Sequence, residues 1–142
     1  MPVTGIDHAA LPTADAERFL AFYKALGFTS PDEEAWRSGR FPVFSIACGD
    51  QKINVHPEGF TTPLRGPTAV PGCGDFCFVW SGGLPSLLET LAAAGIEVIA
   101  GPVDRTGGRS VGTARGVSVY LRDPDDNLVE FLCYDEPLVG RV

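Results

Sequence analysis

Ile6-Asp7-His8-Ala9-Ala10-Leu11-Pro12 reads as a short apolar strand stopped by proline, and a helix follows it almost at once. Asp15 is the expected N-cap of that helix, because its carboxylate can accept from the unpaired first-turn amides. Phe19, Phe22, Tyr23 and Leu26 fall at i, i+3, i+4 and i+7, and Gly27 stands just past the last turn. Two strands come next, Val43 to Cys48 and Lys52 to His56, with Gly49-Asp50 as the turn of a hairpin. The same order then returns. Asp75 to Trp80 is a strand, and Ser81-Gly82-Gly83 leads into a helix with Pro85 near its start, where a missing N–H does no harm. The stripe Leu84, Leu87, Leu88, Leu91 repeats the spacing of the first helix, and Gly95 again marks the stop. Ile96 to Ile99 is a candidate strand. Val117 to Leu121 and Leu128 to Tyr134 flank the turn Asp123-Pro124-Asp125-Asp126-Asn127.

An internal repeat of this kind organises the whole chain. It predicts an α+β protein of two tandem βαβββ modules, with curved sheets around a cleft and the helices outside. Module one is expected over residues 5–57, a linker rich in Pro, Gly and Thr over 58–73, and module two over 74–135, all in a single domain 1–142. Residues 101–116, with several Gly and Thr, are expected as a second long loop of the sort that tends to carry function.

Composition narrows the function classes. With a formal net charge of −7, long-range attraction to nucleic acid or to an anionic membrane surface has the wrong sign. No apolar run reaches the length of a membrane span. The first residues, Met1-Pro2-Val3-Thr4-Gly5, lack the basic start and apolar stretch of a signal peptide, so the cytoplasm is the expected location. Cys48, Cys73, Cys77 and Cys133 mostly sit inside apolar runs and read as structural thiols, since their spacing matches no zinc knuckle.

Four polar residues stand where polar residues are expensive. Glu130 interrupts Leu128-Val129-Phe131-Leu132, and an unpaired buried carboxylate there would cost several kcal/mol. It needs a partner, for which a cation is one efficient answer. His8 lies in the first apolar strand, Asp75 opens the equivalent strand of module two, and His56 ends a strand that also carries Asn54 on the same face. The repeat matches His8 with Asp75 and Asn54 with Glu130. Imidazole nitrogen with carboxylate oxygen suits a divalent ion of the Mn, Fe, Co, Ni or Zn group. The structural alternatives stay open for each: His56 as a hydrogen-bonded rim residue, Asp75 as a loop end on backbone amides, and Asp123-Pro124-Asp125 as turn chemistry. Phe78 and Trp80 are expected either to line the cleft or to pack in the core. Arg105 and Arg109, on the long loop, attract an anionic substrate or stand as solvated charges.

Ile6-Asp7-His8-Ala9-Ala10-Leu11 with Phe22-Tyr23-Lys24-Ala25-Leu26-Gly27-Phe28 resembles the first module of the vicinal-oxygen-chelate superfamily. Tyr120-Leu121-Arg122-Asp123-Pro124-Asp125-Asp126-Asn127-Leu128-Val129-Glu130-Phe131 resembles its last hairpin. Gly49 to His56 and Gly101 to Gly107 are similar to the glyoxalase-domain, lactoylglutathione-lyase-like branch. The resemblance implies metal ligands at the first and last strands of each module: His8, Asp75 and Glu130, with Asn54 at the fourth place. Glyoxalases and fosfomycin-resistance enzymes of this superfamily carry a His where Asp75 stands, and glyoxalases an acid where Asn54 stands. The fourth place then falls to His56 or to water. It also implies Glu130 as ligand and proton carrier. Asn54, Phe78, Trp80 and Arg109 are the candidate substrate contacts. The implied activity is a metal-dependent lyase or isomerase acting on a small oxygenated molecule, in a homodimer. An extradiol-type dioxygenase and a metal-free binding protein of the bleomycin-resistance type are the alternatives.

Overall fold

Each half of the chain closes its own sheet, and in each the first strand pairs in parallel with the last. The computed structural model describes residues 2–140. Two compact units make it up: unit 1, Met1–Gly74 with Pro124–Asp126, and unit 2, Asp75–Asp123 with Asn127–Val142.

Unit 1 contains β1 (His8–Pro12), α1 (Ala16–Ala25), α2 (Glu33–Arg37), β2 (Phe44–Cys48) and β3 (Gln51–His56). Its sheet runs β1-β3-β2, with β1 parallel and β2 antiparallel to β3. Asp15 caps α1 as expected, its Oδ1 accepting from the Arg18 amide at 3.1 Å. Alternation then sorts the strands by face. Leu11, Val55 and Phe44 come together on one face with Ile53 and Ile46, all buried. Phe19 and Tyr23 of α1 are buried with them, and the Phe19 and Trp36 rings lie 6.1 and 4.8 Å from that of Phe44. His8, Ala10 and Pro12 stand opposite Lys52, Asn54 and His56 on the other face. The turn residue Asp125 also belongs to this unit. Its carboxylate accepts from Thr13 Oγ1 at 2.6 Å and from the Ala14 amide at 2.9 Å.

Unit 2 contains β4 (Asp75–Val79), α3 (Leu84–Ala93), β5 (Ala100–Thr106), β6 (Arg115–Arg122) and β7 (Leu128–Cys133). The sheet order is β4-β7-β6-β5, with β4 parallel to β7 and the rest antiparallel. The buried side chains Leu87 and Leu91 are the core stripe of α3. Val117, Val119, Leu121, Val129, Phe131 and Cys133 are buried on one face of the sheet. No described helix is long and apolar enough to cross a membrane.

Besides a single helical turn over Arg109–Gly112, a helix and a strand depart from the sequence expectation. Helix α2 lies in a stretch that reads as merely polar, because five residues are too few to show a helical period. It is held by burial of Ala35 and by Trp36 against Phe44, and ion pairs add to this: Glu33 takes both Lys24 and Arg37, and Arg37 also reaches Glu17 at 2.8 Å. The strand expected over residues 96–99 lies further on, as β5, inside the segment expected as loop. Gly101, Pro102 and Asp104 are poor strand formers, so the sequence masks it, and pairing with β6 overrides propensity. Asp104, 4% exposed, accepts from the amides of Val139 and Gly140 at 2.6 and 2.8 Å and ties the tail to that strand.

Candidate active site

The unit 2 sheet places its polar residues on a single face. Register sets Glu130 opposite Tyr120 on one side and Cys77 on the other, so the three side chains share a face. Ser118, two residues before Tyr120, and Asp75, two before Cys77, continue it along their strands. Glu130 is half-buried, not fully enclosed, which lowers the desolvation cost anticipated from its apolar neighbours. Its Oε2 accepts from the Ser118 hydroxyl at 2.6 Å, a short charge-assisted bond. Arg105 is a strand residue of β5 whose Nε donates to the Tyr120 hydroxyl at 2.8 Å, with the guanidinium carbon 5.5 Å from the ring centre. The Cys77 thiol, still reached by solvent, is pushed up to about 12 by partial burial first, then by the negative charges of Glu130 and Asp75. It is therefore a neutral thiol at physiological pH.

Phe78 and Trp80 occupy the other face of that sheet. Phe78 stands opposite Phe131 with ring centres 5.8 Å apart, and Trp80 packs edge-on against the same ring. The Trp80 indole donates to Ser86 Oγ at 3.0 Å in the first turn of α3, so this is the helix-covered side. Both aromatics are half-buried on that side, because alternation separates residues 78 and 80 from the face that carries residue 77 and Glu130. Arg109 is exposed, its guanidinium carbon 4.5 Å from the Tyr134 ring centre.

In unit 1, His8 is exposed at the start of β1, and its Nδ1 meets the Asp7 carboxylate at 2.6 Å. That bond orients the ring and leaves Nε2 as the edge for coordination. Asn54 and His56 are half-buried on the same face. The Nδ1 of His56 accepts from Arg65 Nε at 3.1 Å and lies 2.9 Å from its Nη2, so Nε2 is the nitrogen it has left to offer. Burial, then the adjacent Arg65 charge, hold this imidazole below the usual histidine range.

Among the described residues, no group of three or more His, Cys, Asp and Glu side chains is arranged to hold a metal ion. The chemistry of the individual donors nevertheless suits a divalent ion. One imidazole is backed by a carboxylate, and one carboxylate is backed by a hydroxyl. Ser118 and Arg65 are the residues sequence reading passed over, and Cys77, read there as a structural thiol, is solvent-accessible beside Glu130. Ser118 carries the one signal that was available, a hydroxyl between Val117 and Val119 in an apolar strand.

Comparison with known proteins agrees with this architecture. Residues 5–131 match the family model described as the Glyoxalase/Bleomycin resistance protein/Dioxygenase superfamily. The chain is 33% identical over 135 residues to the virulence protein STM3117 of Salmonella typhimurium, covering 94% of this chain and 87% of that protein. It is 32% identical over 136 residues to the glyoxalase domain-containing protein RDO1 of Mycosarcoma maydis, covering 96% of this chain and 72% of the other. Among solved structures, a protein from the mobile metagenome of V. Pseudocholerae superposes with a TM-score of 0.81 at 31% identity, over 96% of this chain and 98% of that one.

Proposed function

This chain belongs to the Glyoxalase/Bleomycin resistance protein/Dioxygenase superfamily, and on that premise we propose that it is a divalent-metal-dependent, glyoxalase-like enzyme acting on a small oxygenated substrate. The observation that carries the reading is the Glu130–Ser118 bond of 2.6 Å on a half-buried polar face. It fixes one oxygen of the carboxylate on the face that Cys77 and Tyr120 share.

In this proposal Glu130, Asp75 and His8 are the metal donors, two carboxylates and one imidazole, with the fourth place left to water. A divalent ion held there, one of Zn, Ni, Fe, Mn or Co, would supply Lewis-acid stabilisation of negative charge on substrate oxygens. Glu130 is also the proton carrier. With Oε2 held by Ser118, Oε1 takes a proton from a carbon next to a carbonyl and returns it to the neighbouring carbon. Tyr120, steadied by Arg105, offers a hydroxyl beside the same carboxylate, and Asn54 an amide for orienting substrate. Asp7 holds the His8 ring. The chain acts as a single domain in a cytoplasmic homodimer.

Metal content of the purified parent and of Glu130→Gln, after incubation with Mn, Fe, Co, Ni or Zn, tests the reading. Near-stoichiometric metal in the parent and its loss in the variant are expected. A parent that retains no metal would instead support the metal-free, small-molecule-binding alternative.

A further inference from the structure

Unit 1 holds a recess of about 350 Å³ lined by residues of β1, the end of β3 and the segment that follows it. That volume is at the lower end of the range that small-molecule sites occupy. Ala10, Pro12, Leu64 and Ala69 give it apolar walls, while Arg65 and His56 supply its charge and polarity. Arg65 is half-buried, and among the described residues no carboxylate lies within ion-pairing distance of it. The protein holds it with neutral acceptors instead. Its Nε and Nη2 meet the Nδ1 of His56, and Nη2 also donates to the Phe60 carbonyl at 3.3 Å. The His56 ring is itself placed by Phe60, 5.0 Å away. The remaining arm of the guanidinium, Nη1 of Arg65, bonds to no described residue and keeps two N–H donors.

A partly desolvated guanidinium gains most from a counter-ion when none is built in. The lack of an internal partner is notable in a chain that carries 18 acidic residues against 11 basic ones. We propose that this recess is an oxyanion-recognition site. Arg65 grips the carboxylate or phosphate of a small organic molecule, and the apolar walls take the body of that molecule. His56 is a positioning residue that aims the guanidinium. Every residue involved lies in unit 1 and no part of the site uses a metal, so this inference and the metalloenzyme reading can fail separately.

Calorimetric titration of the parent with benzoate, phenyl phosphate and the neutral isostere benzamide tests it. One or both anions are expected to bind at least about tenfold more tightly than benzamide. The preference between them tells carboxylate from phosphate. Arg65→Gln, with an unchanged melting temperature, is expected to reduce the preferred anion to the benzamide level, and Arg65→Lys to retain part of the difference. Chemical shifts of the His56 ring are expected to move with the anion and not with benzamide. Equal binding of anion and amide, binding unaffected by Arg65→Gln, or no response to either anion at about 10 mM would each overturn the proposal.

Discussion

Single residues draw their properties here from neighbours across the sheet. Cys77 is the clearest case. Partial burial, then Glu130 and Asp75, lift its thiol to about 12, so the reactive thiolate is scarce at pH 8 even though solvent reaches the sulfur. Removing the Glu130 charge lowers the cost of forming a second anion beside it. Alkylation of Cys77 at pH 8, followed by peptide mass spectrometry, is therefore expected to run faster in Glu130→Gln than in the parent. An equal or slower rate would mean that Glu130 does not act on this thiol. Glu130 itself was legible in the sequence, because a carboxylate inside an apolar strand demands an explanation. Its actual partner was not, since Ser118 lies twelve residues away and only the β6–β7 register brings the two together. His56 was legible as a polar strand end in the same way, while its bond to Arg65 depends on how the following segment folds back.

At the scale of elements, apolar periodicity located both long helices and most strands, because each pattern is complete within one segment. Helix α2 and strand β5 escaped it. One is too short to show a period, and the other is built from residues that disfavour strands and is held by its pairing with β6 and by Asp104. The α1 side of the unit 1 sheet rests on Phe44, fully buried and in contact with rings from both α1 and α2. Phe44→Ala removes that shared ring, and the helices cannot both collapse into the space it leaves. A loss of about 3–5 kcal/mol is expected, measurable by urea denaturation, whereas the same substitution at exposed Phe41 is expected to cost far less. Comparable losses at the two sites would remove Phe44 from its place as the joint between the helices and the sheet.

For the molecule as a whole, β1 and β4 are each one of the two edge strands of their sheets, and apolar side chains such as Ile6 and Val79 lie exposed at or beside them. Edges of this kind are normally covered. In the proposed homodimer a second copy does so, and sedimentation equilibrium is then expected to give twice the 15.1 kDa chain mass. A monomer at all concentrations would remove that part of the proposal. By itself the sequence determined the repeated strand–helix–strand order and the superfamily, because hydrophobic period, capping and turn chemistry are local and survive in a one-dimensional reading. The tertiary structure alone decided which side chains share a face: Glu130 with Ser118, Cys77 and Tyr120, and Phe78 and Trp80 away from them under α3. It alone joined Arg65 to His56. Those relations depend on strand register and on the path of a connecting segment, which are set by contacts between distant residues that no local pattern encodes.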